Sequence, residues 1–205
     1  MTQNKEQRTH LGGLEIRKNE DGTESRTIEG YGVVFDKKSH QLGWFVESVS
    51  RDAFKDVDLS DVVATFNHDF NMVMARTSSN TLKLSIDKRG VKYTFDAPNT
   101  TAGNDLLENV RNGNVVGSSF MFTIAEDRWT FKNGSDEVDE REILKVDRLY
   151  ELGPVTMPAY PDTTAQAKRT YEEAKKEFTK EDVEAANNLK KRNIELKIKL
   201  IKTKS

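Results

Sequence analysis

From Leu14 to about Leu152 the apolar positions recur in short runs with a period near two. After Pro161 they thin into a helical spacing among charges. Alternation over four to eight residues is the signature of a half-buried strand. It predicts strands at Leu14–Ile16, Thr27–Phe35, Gly43–Val49, Asp61–His68, Thr81–Ile86, Val91–Phe95, Val115–Ile124 and Glu142–Leu152. Asn19–Gly22, Asp87–Gly90 and Lys132–Ser135 carry the Asn, Asp and Gly that tight turns require. Arg51–Lys55 reads as a short helical turn. In Thr101–Asn112 the period switches, with Leu106, Leu107 and Val110 on one helical face and Asn112-Gly113 as the stop. Pro154, Pro158 and Pro161 are expected to end sheet structure.

The ends differ from this body. Residues 1–13 are polar and set off by Gly12-Gly13, so a flexible leader is expected. Residues 164–205 lack Gly and Pro, are rich in Ala, Glu and Lys, and read as a charged helical tail. Within it Thr179–Asp182 resembles a fresh N-cap, and Ile194, Ile198 and Ile201 form a stripe too thin for a core and suited to docking on a partner. The predicted fold class is α+β and β-rich, with residues 14–163 as one domain, most simply a closed or curled antiparallel β-barrel.

The run Val115–Ile124 holds a step of small residues, Gly117-Ser118-Ser119. In period two, Val116, Ser118, Phe120, Phe122 and Ile124 share one face, which reads as core. Val115, Gly117, Ser119, Met121 and Thr123 share the other, narrower and more polar, which suits a cleft. If one serine does chemistry, parity favours Ser119. The plain alternative is that both hydroxyls bond neighbouring backbone.

Composition narrows the chemistry. Of the 205 residues, 35% are apolar and 32% charged, so part of the chain is expected to be solvated. With no cysteine there is no disulfide, thiolate nucleophile or Cys-based metal site. Three histidines without a His-Glu-x-x-His spacing leave little for zinc, so no cofactor or metal is expected. No apolar run is long enough to span a membrane and no signal-peptide core is present, so an intracellular setting without a membrane partner is expected. Residues 190–205 carry seven Lys/Arg against one acid, Glu195, on a chain of net charge −2, leaving the rest at −8. The basic end is an electrostatic handle, but it has no aromatic residue to stack on a base, so nucleic acid is not the expected partner.

A serine hydroxyl becomes a nucleophile when a neutral imidazole takes its proton and a third group orients that ring. His10 belongs to the leader and His40 to a polar loop, whereas His68 ends an apolar strand where packing can fix it. Asp69, Asp147 and Glu151 could each orient the ring, and spacing does not choose among them.

Three segments resemble the tailed-bacteriophage prohead maturation serine proteases. They are Asn67-His68-Asp69 followed by Ala75-Arg76-Thr77; Gly117-Ser118-Ser119-Phe120-Met121-Phe122 after Arg111-Asn112-Gly113; and Glu151 ahead of Val155-Thr156-Met157-Pro158-Ala159. They cover about residues 30–162. Ala75 stands where the family has Gly, and Leu152-Gly153 where it has Val-Ser. The resemblance implies a fold like herpesvirus assemblins, a β-barrel with surrounding helices, and a serine endopeptidase. By position, Ser119 is the nucleophile, His68 the general base and Glu151 the third member, with oxyanion donors at the Arg76 and Ser119 backbone. It further implies cleavage of scaffold or capsid-protein extensions in the host cytoplasm, inside the assembling prohead, together with self-cleavage. The tail is then a self-removed or scaffold-docking piece. Implied partners are a scaffold protein or the scaffold domain of the major capsid protein, and a second copy of the chain in a homodimer. Two other readings stand beside it, a non-enzymatic assembly module with an inactive barrel and a small-ester hydrolase. The latter is disfavoured because no Gly-x-Ser-x-Gly elbow is present.

Overall fold

The structure, a computed structural model, describes residues 5–132, 138–156, 168–181 and 192. The chain divides into two compact units, Met1–Ala165 and Gln166–Ser205. In the first, ten strands build two sheets. The larger contains β1 (Glu6–Leu11), β9 (Gly117–Thr130), β10 (Asp139–Val155), β5 (Val63–Phe66) and β6 (Asp69–Arg76) in that order, and β4 (Phe45–Val49) also pairs with β10. The smaller has the order β2 (Glu15–Lys18), β3 (Glu24–Val34), β8 (Gly90–Asp96) and β7 (Leu82–Ile86).

Both sheets contribute to one core. Ile28, Val33, Tyr93 and Phe95 come from the smaller, and Phe120, Phe122, Leu149 and Leu152 from the larger, all nearly inaccessible to water. Each such side chain stabilises the fold by about 1.5–3 kcal/mol through the apolar surface it removes from solvent. Tyr93 carries its hydroxyl into this core and meets Ser118 Oγ at 2.9 Å, the partner a buried phenol needs. Its pKa is raised, chiefly by that burial. The helix α1 (Thr101–Arg111) buries Leu106, Leu107 and Val110 and is capped by Thr100, whose hydroxyl accepts the Gly103 amide at 3.1 Å.

Several expectations are corrected. Among the described residues no closed barrel forms, because the larger sheet ends at β1 and β6 and the two apolar faces are covered by packing sheet on sheet. Nor is the pairing wholly antiparallel: β10 runs parallel to β4 and β5. Among the described residues α1 and the short turn of 3-10 helix at Arg51–Phe54 are the only helices of the first unit. The leader is not frayed over residues 6–11, which form β1 against β9. Pro154 lies inside β10 rather than beyond it. β9 and β10 outrun their apolar stretches because charged cross-strand pairs, Arg141 with Asp127 and Arg128 with Glu142, carry them on.

In the second unit residues 168–181 are helical. Thr179 is no N-cap; it sits within that helix, its hydroxyl donating to the Lys175 carbonyl at 2.8 Å. No helix of the described residues is long and apolar enough to cross a membrane. The turn at 133–135, the breaks at Pro158 and Pro161 and the stripe Ile194–Ile201 lie outside the described residues.

Candidate active site

β9 is flanked by β1 and β10, and its register sets Ser119 opposite Thr9 on one side and Gly153 on the other. The parity read from sequence holds for the two serines, Ser118 turning into the core toward Tyr93 and Ser119 to the other face. It fails ahead of β9, where Val115 is buried and Val116, expected on the core face, is exposed. That face is no open cleft at this point, because Ser119 is 0% exposed.

His68 was expected at a strand end and instead occupies a turn. β5 and β6 pair antiparallel with Phe66 opposite Asp69, so Asn67 and His68 are the two turn residues. Both have positive φ, 55° and 59°, as a two-residue type I′ hairpin demands. Asn and His are among the residues other than Gly that take this conformation most readily, and non-Gly positions of this kind cluster at functional sites. The holding contacts come from Asn67. Its amide donates to the Pro154 carbonyl at 3.1 Å, its Oδ1 accepts the Thr156 amide at 2.8 Å, and its Nδ2 donates to Thr156 Oγ1 at 3.0 Å. The hairpin is thereby pinned to the end of β10.

Gly153 permits the close approach. A Cβ built there would lie 2.2 Å from the Thr65 carbonyl oxygen and 3.1 Å from the Thr65 nitrogen. Any other residue would push β5, and with it the turn, away from β10. Gly153 is thus the residue that lets the Thr65 strand, and with it the His68 turn, come close to β10.

The side chains form one hydrogen-bonded row. His68 Nε2 is 2.6 Å from Ser119 Oγ, and His68 Nδ1 is 2.6 Å from Glu151 Oε2. Glu151 is 1% exposed, and its other oxygen accepts Thr65 Oγ1 at 2.6 Å. Both carboxylate oxygens are therefore satisfied inside the fold, which a buried carboxylate requires. Of the three candidate acids only Glu151 meets the ring. Asp69 accepts the Asn71 amide, and Asp147 accepts Thr123 Oγ1 at 2.9 Å.

Arg76, the other expected oxyanion donor, lies at the end of β6 away from the His68 turn. Its amide donates to Thr81 Oγ1 at 2.9 Å and its guanidinium is bidentate on Asp61 at 2.6 and 2.8 Å, so both are already engaged at the far end of β6. Ser119 lies in a strand paired at both edges, where ladder hydrogen bonds use backbone groups. His40 stays in the loop before β4, whereas His10 is fixed in β1 opposite Ser118. Thr65, Asn67 and Gly153 were invisible as site residues, since none bears chemistry by itself. Among the described residues no group of acids and histidines is arranged to hold a metal ion.

The chain is similar to a known family and to a solved structure. The sequence profile of the family described as caudovirus prohead serine protease matches residues 13–177. A solved structure, the capsid assembly protease of bacteriophage T4, is similar at 14% identity with a TM-score of 0.41, over 74% of this chain and 98% of that one. No curated protein matches the chain.

Proposed function

The chain belongs to the caudovirus prohead serine protease family, and from that we propose that it is a serine endopeptidase working through Ser119, His68 and Glu151. The observation that carries the proposal is the unbroken row from Ser119 Oγ through the His68 ring to Glu151, with 2.6 Å at each step.

In this reading Glu151 accepts a hydrogen bond from His68 Nδ1–H and so keeps Nε2 free to act as a base. Ser119 Oγ attacks the carbonyl carbon of a substrate peptide bond as its proton passes to Nε2, giving a tetrahedral oxyanion beside an imidazolium that the Glu151 carboxylate stabilises. His68 then hands the proton to the leaving amine as the C–N bond breaks, leaving an acyl ester on Ser119. Water enters and adds to the ester carbonyl as His68 takes one of its protons. The imidazolium then gives that proton to Ser119 Oγ as the ester C–O bond breaks, releasing the new carboxyl end and restoring the serine. Thr65 orients the carboxylate, and Asn67 orients the turn. Exposed Phe70 and Met72, just past the His68 turn on β6, offer apolar surface for substrate side chains.

The substrates in this proposal are scaffold or capsid-protein extensions within the assembling prohead inside the infected cell, and the chain's own segment beyond residue 161. Co-expression with the cognate capsid precursor, read by intact mass, tests it. Wild type yields shortened precursor and shortened protease, and Ser119→Ala yields neither. Equal masses from the two would remove the proteolytic reading. One observation favours the non-enzymatic alternative, the complete burial of Ser119, and its cause is the strand beside it.

A further inference from the structure

We infer that β1 is an intramolecular strap, laid along the edge of β9 where an extended substrate peptide would pair, and that it holds Ser119 silent until it is displaced. The inference rests on the protease reading above and adds a control to it.

Three contacts at Ser119 carry it. The Arg8 carbonyl oxygen lies 2.8 Å from Ser119 Oγ, and Thr9 Oγ1 donates to the same atom at 3.0 Å. A hydroxyl has one hydrogen. Whenever it is given to the Arg8 carbonyl it is not given to His68, and proton removal by the ring cannot begin. The Thr9 hydroxyl occupies a lone pair that an attack would use. The strap also covers the atom, since Thr9 pairs directly with Ser119 in antiparallel register. Adding an extended strand to an open sheet edge is a common way for proteins to take up peptides. β1 therefore has the form of a bound peptide while belonging to the chain.

The strap has a fastening and a hinge. Glu6 and Arg8 point to the inner face, where Arg8 is bidentate on Glu47 at 2.7 and 2.8 Å and Glu6 on Arg141 at 2.8 and 3.0 Å, all four buried. When the strap leaves, Glu47 and Arg141 keep each other at 3.0 Å, and Arg141 keeps Asp127 at 2.7 Å, so the body is not stranded with unpaired charge. Behind β1 stand Gly12 and Gly13, at φ of 86° and 78°. Successive left-handed residues are open to glycine at little cost, and they give the chain a place to swing. The strap also lies outside residues 13–177, the stretch shared with the family.

The absence of cysteine allows a reversible lock. Gln7 and Met121 are direct cross-strand partners, so Gln7→Cys with Met121→Cys places two thiols to form a single disulfide. The readout is the rate at which a fluorophosphonate labels Ser119, with Ser119→Ala as blank, together with hydrolysis of a peptide substrate. The reduced protein should react faster than the oxidised by about ten-fold or more, in proportion to the fraction of unstrapped molecules. A variant lacking residues 2–12 should match or exceed the reduced form, and a synthetic peptide of residues 5–12 should slow it again. Equal rates in oxidised and reduced protein would overturn the strap while leaving the protease reading intact. No labelling in any form, truncated or full length, would overturn both. Should the truncation fail to fold, the oxidised and reduced comparison on one folded protein still decides.

Discussion

Each oxygen of the Glu151 carboxylate has one partner, Thr65 on Oε1 and His68 on Oε2. Replacing Thr65 with Val keeps the shape and strands Oε1 in a site that is 1% exposed. The expected cost is about 1–3 kcal/mol of stability, measured by urea unfolding. Turnover is expected to fall by about ten-fold with KM little changed, because the loss acts on the ring's orientation rather than on substrate. A second residue sets a pH response. The His10 pKa is lowered to about 4, first by burial and then by Lys37 and Arg89 nearby, and its Nε2 is buried with no hydrogen-bond partner. The folded protein thus prefers the neutral ring. That contribution is complete above the free value of 6.5 and drains away as the pH falls toward 4, by up to about 3 kcal/mol. Unfolding free energies at pH 7 and pH 4.5 should show this drop in wild type and lose it in His10→Leu. At this scale parity alone picked out Ser119 in the sequence. The choice of Glu151 over Asp69 and Asp147 needed the resemblance, and Thr65 was unreadable because a strand threonine looks the same whether or not it touches a carboxylate.

The hairpin of β5 and β6 is the element on which the site turns. Its sequence reads as one strand ending in Asn67-His68, since period-two alternation carries no mark for a type I′ turn built without glycine. The structure folds the chain back there, at two positive-φ residues. The neighbouring strand leaves no slack, because any Cβ at Gly153 must overlap the Thr65 backbone. Gly153→Ala is therefore expected to destabilise the protein by more than about 2 kcal/mol and to lower phosphonate labelling of Ser119 further than the stability loss explains. A melting temperature and a labelling rate measured on the same sample check both. By contrast α1 was legible almost to its ends, because Leu106, Leu107 and Val110 keep a helical period and Gly113, at φ 69°, stops it.

For the whole molecule, the alternating runs predicted a β-rich α+β body, and that much is present. What they did not contain was the partnering: β4 and β5 run parallel to β10, and β1 closes on β9, through contacts between residues far apart in sequence. The leader was misread for a related reason. Its polar Glu6 and Arg8 suggest solvent, yet they enter a buried charge network with Glu47, Arg141 and Asp127 that links β1, β4, β9 and β10. Arg141→Met should cost about 3–5 kcal/mol, because it leaves buried carboxylates short of a partner; thermal unfolding beside wild type checks the figure. The central claim is that Ser119, His68 and Glu151 act together as a hydrolytic unit. Its most direct test is to treat wild type and His68→Ala with a fluorophosphonate, after releasing or deleting residues 2–12, and map the adduct by peptide mass spectrometry. A single adduct on Ser119 is expected in the wild type, with labelling slowed by about a thousand-fold or more in His68→Ala. An adduct on another residue, or equal labelling of Ser119 in the two proteins, would contradict the claim.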